Sequence, residues 1–374
     1  MTPGFVRRFN ALLRKEVCQL VRDPSNLAVG LLLPGVLILL FGYGLSFDVK
    51  NAPVAVVMED SSPTARDVLA DLKGSTYLAP LSVGSMQEAE RRMRAGAVNA
   101  IVRVPADFSR QLATGQARIQ LVLNGVDSNT ANAVNGYVGG ALATWAQHRA
   151  DRAGGHAGGG AVVVEQRTWF NEAGDSTWYL VPGLVVLIMT LTGAFLTSML
   201  IAREWERGTL EALFVTPVRP LELVLAKLVP YFVLGAIDLA MCLLAARFLF
   251  QVPMRGSLLV IVGASLLYLV VALALGLFIS GATRNQFQAS QVALLASFMP
   301  ALMLSGFVFD LRNVPWLIQA ISQVLPATHF MALIKTLFLA GDNLAMVLRA
   351  CVILAVYAGV LIFATRRTVR KTLD

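Results

Sequence analysis

Ile201–Val229 reads IAREWERGTLEALFVTPVRPLELVLAKLV, a charged island between two long apolar runs. Glu204, Glu206 and Glu211 alternate with Arg203 and Arg207 through its first half, Gly208-Thr209 sits in the middle, and Thr216-Pro217 closes it. Arg219-Pro220 opens a new helix, with the proline in the first turn, where a missing N–H costs no hydrogen bond. The stretch predicts a short helix at a membrane surface, a turn, and re-entry into the bilayer. A solvated connector is the plain alternative for a charged loop of this size. Against it, Trp205, Leu210, Leu213 and Phe214 are mixed with the charges on one short helix. Such apolar side chains are expected to anchor the helix while the Glu and Arg side chains face a partner.

The flanking runs belong to a chain of 374 residues that is 56% hydrophobic and only 14% charged, with mean hydropathy +0.65. An ordinary soluble protein is excluded by that balance. The net charge of +8 does not indicate nucleic acid, because the basic residues are spread along the chain rather than gathered in one motif. Cys18, Cys242 and Cys351 are isolated, with no C-x-x-C pair, so neither a metal nor a redox site is expected. None falls in the segment read as lying outside the membrane, and no disulfide is expected there.

Toward the N-terminus, Phe5, Phe9, Leu12, Leu13, Val17 and Leu20 recur at helical spacing, with Arg7, Arg8, Arg14, Lys15 and Arg22 on the other side. Residues 1–26 are therefore expected to form a cytoplasmic amphipathic helix in the headgroup plane of the membrane lipid. Leu27–Phe47 is long enough to cross about 30 Å of hydrocarbon at about 1.5 Å per residue. It does not read as a signal peptide, since no small-x-small cleavage site follows.

Residues 48–177 change character, with 12 Lys/Arg against 13 Asp/Glu. Short β-like runs (Val54–Met58, Ala100–Val104, Ile119–Leu123) alternate there with helical stretches (Thr64–Leu72, Met86–Ala95, Ala106–Ala113). A longer helix, Ser128–Arg152, follows the N-cap pair Asp127-Ser128. Gly154–Gly160 reads as a flexible linker, and Val162–Arg167 as a returning strand. The pattern predicts an inserted α/β domain. His148 and His156 have no partnered nucleophile in a recognisable motif, so no catalytic residue is assigned.

On the C-terminal side, Trp178–Ile201, Leu223–Phe250, Ser257–Ser280, Phe287–Val308 and Met346–Thr365 read as five further spans, making six. Trp178-Tyr179 sits where an interfacial aromatic belt would. Val314–Leu339 tempts a seventh span, but Pro326 breaks it and Gln319, Gln323, His329 and Lys335 interrupt it. Residues 310–345 are expected to form two short helices that dip into the outer leaflet and return. Asp238 is the acid well inside a span, an intramembrane polar candidate for a proton relay, a substrate contact or a structural pair.

Charge then orients the chain. Five Lys/Arg precede the first span, and Arg366, Arg367, Arg370 and Lys371 follow the last. The positive-inside rule places both ends in the cytoplasm, which requires an even number of spans. Six satisfies this, with 48–177 outside and the 202–226 loop inside. The expected fold is an α-helical polytopic membrane protein with six transmembrane helices and an inserted α/β extracytoplasmic domain.

Glu204, Glu206, Gly208, Thr209, Glu211, Leu213 and Thr216-Pro217 match the pattern E-x-E-x-G-T-x-E-x-L followed by T-P. This segment resembles the cytoplasmic loop of type-2 ABC transporter permeases, and the overall layout extends the likeness over nearly the whole chain. The resemblance implies a coupling helix that docks on a separate ATPase subunit through Arg203, Glu204, Glu206, Arg207, Gly208, Thr209, Glu211 and Leu213. It also implies a second permease subunit, homo- or heterodimeric, and a bacterial inner-membrane location. The large domain between spans one and two resembles the subgroup that works with a periplasmic adaptor protein. Drugs, lipids and other amphiphiles are the implied substrates. No G-x-x-x-x-G-K-[ST] loop occurs, since Lys73-Gly74-Ser75 lacks the upstream glycines. No cofactor is expected on this chain, with ATP and Mg bound by the partner ATPase. An exporter permease, a mechanotransmitter acting on a periplasmic partner, and an ion-driven carrier remain three readings. The coupling segment argues against the third.

Overall fold

The computed structural model describes residues 3–44, 51–115, 117–124, 128–152, 175–210, 216–308, 311 and 314–369. The chain divides into two compact units, one of Met1–Leu45 with Thr168–Asp374, the other of Ser46–Arg167.

In chain order the first unit begins with α1 (Pro3–Val21) and α2 (Pro24–Gly44). Residues 22–23 separate them, with the Asp23 side chain accepting from the Asn26 N–H and Nδ2.

The second unit is built on a four-stranded sheet: β1 (Ala52–Met58), β2 (Leu78–Val83), β3 (Ala100–Val104) and β4 (Gln120–Leu123), in the order β2-β1-β3-β4. β1 runs parallel to β2 and β3, while β4 is antiparallel to β3. The connecting helices are α3 (Pro63–Gly74), α4 (Met86–Arg94) and α5 (Phe108–Ala113), followed by α6 (Ser128–Arg152). Alternation in β1 divides the core, because successive side chains point to opposite faces. Val54 and Val56 pack with Val68 and Leu72 of α3 and Val134 and Val138 of α6. Ala55 and Val57 pack with Ala89 of α4. The α/β expectation holds for the described part, and β2 is a strand that sequence patterning did not identify. It is a sheet-edge strand carrying Pro80, where a missing N–H is tolerated. The linker 154–160, His156 and the strand expected at 162–167 lie outside the described residues.

The first unit resumes with α7 (Ser176–Ser198) and α8 (Leu200–Glu206), then α9 (Pro220–Leu244), prolonged by a π-helical turn at Ala245–Leu249, and α10 (Leu258–Thr283). α11 (Gln286–Ala293), a second π turn at Leu294–Phe298 and α12 (Met299–Leu304) form one continuous rod. α13 (Trp316–Gln323), α14 (Pro326–Leu339) and α15 (Leu344–Thr368) complete it. Six of these segments are long and apolar enough to cross a membrane: Pro24–Gly44, Ser176–Glu206, Pro220–Leu249, Leu258–Thr283, Gln286–Leu304 and Leu344–Thr368. They match the six expected spans to within a few residues. α13 and α14 bend by 86° at their break, so the stretch around Pro326 is the broken pair that its polar interruptions predicted.

The second span is the hub: 83% of its apolar window is buried, against 17% for the first and sixth. It crosses α10 at a small-residue contact. A Cβ added at Gly276 would stand 2.2 Å from the Ala194 carbonyl oxygen, so only glycine allows the two backbones this approach. The Thr197 hydroxyl uses it to donate to the Leu273 carbonyl at 2.9 Å.

Candidate functional site

The charged segment is the end of the second span, not a separate surface helix as the sequence suggested. α7 is interrupted for one residue, Met199, and α8 continues. The amides of Ile201 and Ala202 both donate to the Ser280 hydroxyl of α10 at 2.9 Å, which pins the break to the fourth span. Counted together, α7 and α8 run 31 residues, or about 46 Å at 1.5 Å per residue, against about 30 Å of hydrocarbon. The helix is thus longer than the hydrocarbon requires, and its end carries Arg203, Glu204, Glu206 and Arg207.

These four residues divide by side. The expectation that Glu204 faces a partner is corrected, since its residue exposure is only 3%. It meets Lys227 of α9 and Lys15 of α1: Lys227 Nζ lies 2.9 Å from Glu204 Oε2, off the hydrogen-bond direction, and Lys15 donates to Oε1. Glu16 closes the group, accepting from Lys227 at 2.9 Å and from Lys15 at 3.2 Å. Two cations and two anions thus neutralise one another where an unpaired charge would be costly. Arg203 also turns inward, with Nη1 donating to Asp23 Oδ2 at 2.7 Å and Nε to Gln286 at 3.3 Å. A further pair stands alongside, where Arg8 of α1 grips Glu222 of α9 through both carboxylate oxygens at 3.0 and 2.7 Å. α1 therefore lies along the start of the third span and is held there by charge.

Electrostatics follow from these contacts. Burial pulls the Lys15 ammonium down, but the carboxylates of Glu16 and Glu204 outweigh it and hold the group above the ordinary lysine range. The Arg203 hydrogen bond, with the Asn26 N–H, holds Asp23 below the usual carboxylate range against partial burial.

Glu206, Arg207, Gly208 and Thr209 are exposed. Glu206 accepts from the Gln286 N–H at 2.8 Å and from its side-chain amide, which ties the tip to the turn between spans four and five. From the same turn, the Arg284 guanidinium stacks 4.2 Å above the Trp205 ring. Gly208 takes φ +66°, a left-handed turn that glycine adopts without strain, and the Thr209 hydroxyl donates to the Glu204 carbonyl at 3.2 Å. Glu211 and Leu213 lie outside the described residues. A cleft of about 460 Å³ opens between α1 and this tip, with Lys15, Arg22, Asp23, Arg203, Glu204 and Arg207 among its lining residues. Lys15 and Arg203 are paired with its two acids, whereas the side chains of Arg22 and Arg207 make no ion pair among the described residues.

Sequence patterning missed Glu16, Lys227, Lys15, Asp23 and Gln286 as members of this site. Glu16 did carry a signal. It stands midway between Leu12 and Leu20 at i+4 spacing, and all three are buried, so an acid sits in the apolar stripe of an amphipathic helix. Asp238, the intramembrane candidate, lies apart from the cluster. It is 1% exposed, and both its carboxylate oxygens lack a hydrogen-bond partner among the described residues.

Residues 27–366 match the family described as ABC-2 family transporter protein. An Escherichia coli K12 protein named probable multidrug ABC transporter permease YbhS is 41% identical over 357 residues, covering 95% of this chain and 94% of its own length. Another from the same strain, probable multidrug ABC transporter permease YbhR, is 30% identical over 342 residues, covering 91% and 92%. The Bacillus subtilis linearmycin resistance permease protein LnrN is 23% identical over 390 residues, covering 98% and 100%. With its six apolar spans, the chain belongs to the ABC-2 transporter family as a type-2 ABC permease, the membrane subunit of a transporter and not itself an enzyme.

Proposed function

We propose that this permease exports drug-like, lipid or other amphiphilic molecules across a bacterial inner membrane, driven by a separate ATPase subunit that docks on the Arg203–Leu213 segment. ATP and Mg bind to that subunit, and two permease subunits form the membrane part. Both termini and the docking segment face the cytoplasm, and residues 48–177 stand outside, where a periplasmic adaptor protein is a further partner. The names of YbhS and YbhR, with multidrug in each, and of the linearmycin resistance permease support the substrate class.

One observation carries the docking assignment. The exposed tip Glu206–Thr209 is continuous with Arg203 and Glu204, which are fastened inward to α1, α9 and Asp23. Force applied at the tip thus reaches the first three spans through ion pairs and not through a slack loop. Within the cleft, Arg22 and Arg207, unpaired among the described residues, suit acidic side chains on the ATPase, and complementary charge guides such encounters.

The test is a double charge reversal, Glu206→Arg with Arg207→Glu, which leaves the buried cluster intact. Copurification of the ATPase, or its stimulation by the permease, is expected to fall at least tenfold, with insertion and thermal stability unchanged. Glu88→Arg with Glu90→Arg, on exposed residues of α4, is expected to leave both readouts at wild-type level. A loop variant that still binds and stimulates the ATPase fully makes the segment a connector.

A further inference from the structure

Between the third and fourth spans lies a groove of about 640 Å³ that the export reading does not use. Its walls are Leu239, Leu243, Leu258, Val262 and Leu266, and its end is formed by Arg247 and Phe248 of the π-helical turn. The volume falls in the range of sites that take a drug-sized ligand, about 300–1,000 Å³. Among the lining residues Arg247 is the only charged one. Its side chain is exposed and makes no hydrogen bond or ion pair among the described residues.

We propose that this groove seats one acyl chain of an anionic phospholipid, with the lipid phosphate bonded to the Arg247 guanidinium. Three observations converge on that occupant. The first is depth. Arg247 stands 20 residues beyond Lys227, about 30 Å along the helix, so with Lys227 near one membrane surface, Arg247 reaches the headgroups of the opposite leaflet. The second is the π turn, a feature that is rare and concentrated at functional sites. It closes with the Phe250 N–H on Ala245 O at 3.0 Å, and sets Arg247 beside Phe248 at the groove end. The third is charge. Asp342, packed against Gly256 at the same end, accepts the Ser257 N–H with both oxygens at 3.0 Å and does not pair with Arg247. A guanidinium with open donors matches a phosphodiester in two-point geometry, and the leucine-rich wall matches an acyl chain.

The seat is a property of the membrane fold and holds whether or not the chain exports drugs. It is tested by titrating the purified full-length protein, in neutral detergent, with pyrene-labelled phosphatidylglycerol and, separately, pyrene-labelled phosphatidylcholine. One Lys or Arg near a membrane surface attracts anionic lipid with about 1 kcal/mol, which is about fivefold in binding. Wild-type protein is expected to prefer phosphatidylglycerol about fivefold. Arg247→Gln is expected to remove that preference, and Ala240→Trp, which fills the groove, to weaken both lipids. Arg255→Gln, at the same end but outside the groove lining, is expected to keep it. Equal binding of the two lipids by wild-type protein, or a preference that survives Arg247→Gln, overturns the proposal and leaves unselective annular lipid.

Discussion

Replacing Lys227 by methionine removes the cation at the centre of the α1–α8–α9 cluster while keeping its length and stem. Glu16 and Glu204, whose side chains are 2% and 4% exposed, are then left to Lys15 alone, whose side chain is 41% exposed. Breaking a buried pair by removing one partner typically costs about 3–5 kcal/mol, because the surviving charge stays desolvated. Lys227→Met is therefore expected to destabilise the protein by about that amount. Lys15→Met, at a half-exposed position where solvent screens the charge, is expected to cost about 1 kcal/mol or less. Glu16→Gln together with Lys227→Met removes both partners of one pair, so the double variant should be less destabilised than the sum of the singles, with coupling of about 0.5–3 kcal/mol. Unfolding in dodecyl maltoside by added sodium dodecyl sulfate, followed by intrinsic tryptophan fluorescence, reads these variants and Glu16→Gln alone. Cleavage of α1 by protease should accelerate in Lys227→Met, since that helix loses its inner fastening. If Lys227→Met costs no more than Lys15→Met, the cluster is solvated and α1 is not held by it.

Two further outcomes follow from the same geometry. In the α/β unit, the N–H groups of Ser62 and Ser109 each donate to Asp60 at 2.8 Å and hold its carboxyl down at about 2. A depressed carboxyl stabilises above its unfolded value and loses that contribution as pH falls through the folded one, so the protection of the Ser62 and Ser109 amides, taken against the intrinsic exchange rate at each pH, should fall between about pH 4 and pH 2. Asp60→Asn should show fast exchange there already at pH 7, and unchanged exchange would separate the carboxylate from the loop's order. For topology, in a background lacking Cys18, Cys242 and Cys351, cysteines at Ser75 and Ser109 should react with an impermeant thiol reagent in intact cells. One at Thr372 should react only after the membrane is opened, and labelling from outside would demand an odd number of spans.

The spans were legible because long apolar runs have few alternatives in folding, and the break at Pro326 was legible because proline and four polar side chains interrupt one of them. Glu206, Gly208 and Thr209, which the motif singles out, stand exposed, and so does Arg207, which occupies a free position of the motif. What local pattern did not carry was long-range pairing. Lys227 meets Glu16 across 211 residues of sequence and Arg8 meets Glu222 across 214, and neither separation leaves a trace in periodicity. Glu204 was misread for the same reason: within its own segment it is one acid among three, and only the arrival of α1 and α9 makes it an inner residue. β2 was missed because Pro80 argues against a strand everywhere except at a sheet edge.

Docking through the segment after α8 requires that its exposed tip touch the ATPase. A photoreactive amino acid placed at Arg207, whose side chain is exposed, reads this directly in intact cells. A crosslink to the ATPase subunit is expected on illumination, lost when Glu206→Arg is added, and none from the same probe at Glu90. A probe at Arg207 that captures only lipid or water, while permease and ATPase remain associated, would place the dock elsewhere and contradict the assignment.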